Sequence, residues 1–359
     1  MNPLQPGTHK HPTGQALNIK LAFGENKRLW RNSARRIARV VARLPHTKET
    51  VPTNEAPKVR KDEKRTLMLT NMEHASKWFA ANAEFEVSPE LLREELAIFT
   101  NATRYDYQVS SALMDRTMDA INQILTDDLL SGSDFWTTRF WLNSHIAESV
   151  TDGTLESLES AVLITQGTPV ESKIAILDAQ QQLASPVYQD RLRLVYGRTF
   201  ELMKGLTSDM RSQLRMTLTE GVARGVGIRD LTGMINKRLS VGLVRAERIA
   251  RTEINKAYRD AYMDESDELN KTALKDDPWE IRQVHRSALS PTTRPNHAAR
   301  HGTIHTASAQ RDWWATGSRS INCLCSTLDV LVNRKTGEVL QQKLVNRMLK
   351  QKKEWWPSG

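Results

Sequence analysis

Four histidines and both cysteines of the chain fall within residues 279–331, and their spacing is where this sequence could do chemistry. Cys323 and Cys325 are separated only by Leu324, and a disulfide closing so small a ring would be strained, so a reducing compartment is the simpler reading. On a strand the two thiols would point to the same side. Pro295 suits the first turn of a short helix, which would set His297 and His301 one turn apart on one face before Gly302 stops it. His305 follows in the next extended piece. Two thiolates with imidazoles are the ligand set zinc prefers in a structural tetrahedral site. The expected ligands are His297, His301, Cys323 and Cys325, with His305 or His285 as alternates for the fourth position. The competing reading has the cysteines as small buried hydrophobes and the histidines hydrogen-bonded within an aromatic-lined fold. A zinc-dependent hydrolase or nuclease acting on nucleic acid would need a base, and no HExxH or HxE arrangement supplies a glutamate beside these histidines.

The elements that would carry these residues follow from pattern. Trp279, Ile281 and Val284 mark a strand, Ser290-Pro291-Thr292-Thr293 a turn, and Asn322 to Cys325 a second strand. Trp313 and Trp314 lie in an aromatic loop between them and read as core or interface. Residues 327–332 and 338–344 alternate apolar and polar around Asn333 to Gly337, which predicts a hairpin. Upstream, a helix over about 243–264 carries Ala250-Arg251-Thr252-Glu253. Arg251 and Glu253 cannot face each other at a two-residue spacing, so each is expected to make its own ion pair. No second acid is fixed near Glu253 to make it catalytic.

Trp279, Thr293-Arg294-Pro295-Asn296-His297, His301-Gly302 and Asn322-Cys323-x-Cys325, with Ile249-Ala250-Arg251-Thr252-Glu253 before them, resemble the phage Mu F-type head-morphogenesis family of minor head proteins. The resemblance covers roughly the C-terminal third. In relatives the position of His297 is often a cysteine, which gives the arrangement the look of a metal site with exchanged ligands. Leu324 stands where the family usually has Arg. The resemblance implies a non-enzymatic minor capsid protein of a tailed phage, present in few copies inside the head. It further implies binding to the portal and contact with packaged double-stranded DNA, with scaffold or major capsid protein as further partners. Its location would be the virion, and the host bacterial cytoplasm during assembly.

Composition adds the charge layout. The net charge of +9 is split as +10 over residues 1–65, −5 over 66–342 and +4 over 343–359, so a mildly acidic body carries basic ends. Such ends would meet DNA or an acidic partner surface. No apolar run reaches the ~18 residues of a membrane span, so no membrane partner is expected. Residues 1–26 read as a flexible arm. Lys27 to Leu44 then form a basic amphipathic helix: Trp30, Ala34, Ile37, Val41 and Leu44 make an apolar stripe, and Lys27, Arg28, Arg31, Arg35, Arg36, Arg39 and Arg43 are the candidate DNA contacts. Docking of that helix on the body, or on a membrane surface, are the other readings.

Pro45 ends the helix and a proline-rich linker runs to about 62. Helices are expected from Ser88-Pro89 to Gly132, from Ser133-Asp134 to about 150, and over about 154–165, 170–184, 187–205, 208–224 and 228–239, with a break at Thr151-Asp152-Gly153. The fold class expected is mainly α with a small C-terminal α+β module and a basic, flexible N-terminal arm. The domains would be the arm (1–65), a helical body (66–240), the α+β module (241–345) and a basic, tryptophan-containing tail (346–359).

Overall fold

The computed structural model describes residues 11–49, 104–131, 140–174 and 179–356. The expected helix starts at Ser88 and Ser133, and most of the linker, lie outside them. Ten helices and two small antiparallel sheets account for the described residues, which matches the mainly α expectation. No described helix is long and apolar enough to cross a membrane.

The chain forms two compact units, one of Met1–Arg36, Asn122–Arg211 and Arg238–Gly359, the other of Ile37–Ile121 and Ser212–Lys237. Four helices have residues in each: α1 (Ala16–Val41), α2 (Ser111–Leu130), α6 (Pro186–Ala223) and α7 (Ile228–Lys271). The smaller unit pairs β1 (His46–Glu49) with β2 (Arg104–Tyr107) and contains the first part of α2 (Ser111–Leu130). Its turn between α6 and α7 uses Gly225 at φ +64, with the Val226 amide donating to Gly221 and the Gly225 amide to Val222, a left-handed C-terminal cap. Tyr107 donates its hydroxyl to the Val226 carbonyl at 2.6 Å, fastening β2 to that turn.

In the larger unit α1 begins at Ala16, well before the expected Lys27. Ile19, Ala22 and Trp30 are buried at helical spacing, so part of the segment read as a flexible arm is an amphipathic helix seated by its apolar stripe. The strap before it is fastened too. The Pro12 carbonyl accepts from Ser326 Oγ at 3.2 Å, and Thr13 Oγ1 bonds Asn255 Oδ1 at 2.7 Å. Trp30 lies where a Cβ on Gly242 of α7 would stand, 2.3 Å from its ring, so that glycine makes room for the indole.

The expected break at Gly153 is absent: α3 (Leu142–Thr165) runs straight through it. A Cβ there would sit 2.3 Å from the Tyr258 carbonyl of α7, so Gly153 permits a close helix crossing rather than a turn. Likewise α6 passes through Gly205, and α7 continues through 239–243 and beyond 264, where separate helices were expected. Ion pairs run between these two: Arg191 with Asp264, Arg198 with Glu253 and Arg245 with Asp209 form an antiparallel ladder. Two short helices, α4 (Glu171–Ile174) and α5 (Ala179–Ala184), precede α6.

The C-terminal module is a three-stranded antiparallel sheet in the order β4-β3-β5, built from β3 (Trp279–Arg286), β4 (Ile304–His305) and β5 (Ser326–Asn333). Alternation assigns its faces. Ile281 and Leu331, paired in register, join Ala161 and Ile164 of α3 and Leu269 of α7. Val284, Leu328, Val330 and Val332 pack instead against Leu344, Val345 and Met348 of α10 (Gln342–Trp355).

That helix corrects two expectations. The turn at Asn333–Gly337 forms, but the returning chain makes only one bridge, Val332 with Val339, before turning helical at Gln342. The apolar residues at 344, 345 and 348 follow a helical period, which competes with the strand pattern and wins once they have a sheet face to cover. What read as a basic tail is therefore largely a packed helix.

Candidate functional site

Three segments of the module bring the histidines and cysteines together. His285, next to last in β3, stands opposite Thr327 and is fully buried. His297 lies in α8 (Pro295–Arg300), which Pro295 opens as expected. Cys323 and Cys325 precede β5 instead of lying on a strand, so their proximity comes from the loop that holds them and not from strand alternation.

Arginines clamp that loop. Arg259 of α7, 1% exposed, stacks over Trp314 and donates to the carbonyls of both Cys323 and Cys325. Arg294 donates to the carbonyls of Ser318, Arg319 and Ile321. Arg251 donates to Asn322 Oδ1 at 3.1 Å, and Thr252 Oγ1 accepts the Asn322 amide at 2.9 Å. Asn322 sits at φ +56, a conformation asparagine tolerates better than most residues. The two sequence motifs thus meet physically, Arg251-Thr252 gripping the residue before the first cysteine. Glu253 pairs with Arg198, the ion-pair role expected for it.

His297 Nδ1 stands 3.4 Å from Cys325 Sγ and 3.5 Å from Cys323 Sγ. The ligand atoms of His285, His297 and Cys325 all lie within 4.8 Å of one another, and no carboxylate belongs to this group. A hydrogen bond from Cys325 holds the Cys323 thiol well below the usual thiol range, while that bond and burial push Cys325 well above it. Burial lowers His285 to about 3, keeping its ring neutral. Trp313, on α9 (Ala307–Ala315), meets His285 and His297 edge-on at 5.0 and 4.8 Å. A cavity of about 50 Å³, lined by Ser290, Thr293, Arg294, His297, Cys323 and Cys325, opens beside the sulfurs.

The other histidines of the expected set go elsewhere. His301 caps the end of α8 and its Nδ1 accepts the Ser287 amide at 3.0 Å, so it does not join the group. His305, on β4, bonds Thr303 Oγ1 at 2.8 Å. His285 takes the place expected of His301. The signal was its position on a strand that alternates inward, and the attraction of the one-turn spacing of His297 and His301 obscured it.

The cationic residues of α1 separate into two sets. Arg36 turns inward and bonds Asp128 at 2.6 Å, an acid that also accepts from Asn32 and Ser33, and Lys27 lies 3.9 Å from Glu247. Arg28, Arg31, Arg35 and Arg39 are exposed, as is Arg43 beyond the helix end. Among the described residues only Arg28 of these has an acidic partner, Glu25 at 3.5 Å. On α10, Lys343, Arg347 and Lys350 form a further exposed row at i, i+4, i+7, opposite the buried Leu344 and Met348.

Residues 212–328 match the family model described as Phage Mu protein F like protein. That span runs from the last turns of α6 through α7 and β3 to the start of β5, and so contains all four clustered histidine and cysteine positions. The comparisons with curated proteins and with solved structures gave no match.

Proposed function

We propose that this chain, which carries a domain of the Phage Mu protein F like family, is a minor capsid protein that sits inside a tailed-phage head, bound to the portal and touching packaged DNA. The family supports the coarser part, a role in head morphogenesis and a place in the virion. The observation that supports the finer part is the two-sided construction of α1. Its apolar stripe is buried and Arg36 is bound to Asp128, and Arg31, Arg35 and Arg39 are exposed with no acidic partner among the described residues. Cations arranged so release counterions from DNA and give affinity that is independent of base sequence. The acidic body offers defined contacts to the portal, and to scaffold or major capsid protein, while the protein is assembled in the host cytoplasm.

DNA binding measured across a salt series tests this. The intact chain should bind duplex DNA with a steep logarithmic dependence on salt. The variant Arg31→Gln, Arg35→Gln, Arg39→Gln should lose about 3 from the magnitude of that slope, roughly 0.9 per phosphate contact. An unchanged slope would remove α1 from the DNA-binding account.

A further inference from the structure

We infer that His285, His297, Cys323 and Cys325 form a closed tetrahedral Zn²⁺ site that staples the cysteine loop to β3 and α8. The inference stands apart from the head-assembly reading, because such a site needs no substrate or partner.

Geometry carries it. With Zn–S near 2.3 Å and Zn–N near 2.05 Å, the N···S edge of a tetrahedron is about 3.5 Å. His297 Nδ1 is 3.4 and 3.5 Å from the two sulfurs. Ordinary packing requires no such pair of distances around one imidazole nitrogen, whereas a shared metal does.

The fourth ligand follows from the hydrogen bonds of His285. Its Nδ1 lies 3.2 Å from Gln310 Oε1, an oxygen that also accepts from Arg300 Nε at 3.1 Å. Arg300 Nε can only donate, so that atom is an acceptor, and His285 Nδ1 must carry the proton. Nε2 then keeps its lone pair, is buried, and has no partner. An imidazole whose one nitrogen is fixed by an outer hydrogen bond, and whose ring stands with His297 and Cys325 in a group of ligand atoms within 4.8 Å, has the arrangement of a metal-bound histidine. Gln310 and Arg300 orient it, and Arg259 holds the carbonyls on either side of Leu324 so that both sulfurs turn inward.

The donor set is closed. Two thiolates and two imidazoles fill four-coordinate zinc and leave no position for water, so the site is structural. The small opening beside Thr293 and Arg294 gives the ion a way in.

The test uses the full chain and the metal alone. Wild-type protein, purified and dialysed, should hold about one zinc per chain, and Co²⁺ loaded in its place should show thiolate charge-transfer bands with the intense visible bands of a tetrahedral site. His285→Ala and Cys325→Ser should abolish that spectrum, whereas His301→Ala should keep it. Wild-type protein that gives no tetrahedral thiolate spectrum with Co²⁺ overturns the site whether or not the variants fold. Loss of the spectrum in His301→Ala with its retention in His285→Ala overturns the ligand set.

Discussion

One guanidinium nitrogen of Arg259 donates to the carbonyls of Cys323 and Cys325 at once, at 3.2 and 3.3 Å. A buried arginine is tolerated when its donors are used, and here one nitrogen serves two carbonyls. The long helix α7, which also grips Asn322 through Arg251 and Thr252, thus holds both cysteine carbonyls with one side chain that stacks on Trp314 at 4.6 Å. Arg259→Met keeps most of the volume and removes the donors. It should cost about 3 kcal/mol in urea unfolding, since two buried carbonyls lose their partner. A loss below about 1 kcal/mol would mean that the loop is held by other contacts.

Two glycines predict opposite signs. Gly153→Ala drives a Cβ into the Tyr258 carbonyl, which cannot move without parting α3 from α7, and should destabilise by about 1–3 kcal/mol. Gly205→Ala meets open space in the middle of α6 and should stabilise by about 0.5–1 kcal/mol. Thermal unfolding of the two variants separates the close crossing from a generic helix effect.

Asp329 is fully enclosed in the module, where it accepts from Gln283 Nε2 at 2.6 Å and Ser266 Oγ at 3.0 Å. Burial raises it to about 7 in spite of those donors, and Glu156, which accepts from the Tyr258 hydroxyl, is raised to about 7 for the same cause. A carboxyl whose folded value exceeds its unfolded one holds its proton more tightly when folded. Its contribution to stability is then complete below about pH 4 and is lost as pH rises through about 7. Asp329→Asn should flatten the fall in stability between about pH 4 and 7 by on the order of a few kcal/mol. A wild-type profile that rises over this window and is unchanged in the variant would contradict the assignment.

The exposed row on α10 makes a separate prediction. Lys343, Arg347 and Lys350 span about 10 Å along the helix, comparable to the axial run of four successive phosphates on one strand. Lys350 has Glu354 at 3.8 Å, an exposed pair worth little. Lys343→Gln, Arg347→Gln, Lys350→Gln should lower the salt dependence of DNA binding without moving the unfolding temperature, because the side of α10 that packs on the sheet is untouched. A large drop in that temperature would show that the row is structural.

Much of the module was legible because its signals are local. Pro295 opened α8, the alternation of β3 gave a strand, and the turn at Gly337 stood where the Asn-Arg-Lys-Thr-Gly sequence placed it. The misreadings share one origin, which is that tertiary partners decide what local signals leave open. Gly153 read as a break and a helix was expected to end near 205, yet Gly153 is a crossing point and Gly205 a tolerated interior glycine. Residues 342–348 fit both periods until the sheet face chose the helix. In the candidate site the cysteines and His297 were identifiable by type and spacing. His285 against His301 could not be decided, because that depends on which histidine the backbone turns inward, and Ser287 claims His301 through a hydrogen bond no spacing reveals.

The head-morphogenesis reading is tested most directly by quantitative proteomics of purified particles of the phage that encodes this chain, counting it against the portal and major capsid proteins. A few copies per particle, co-isolating with the portal, is the result the account predicts. Absence from both mature heads and assembly intermediates would contradict it.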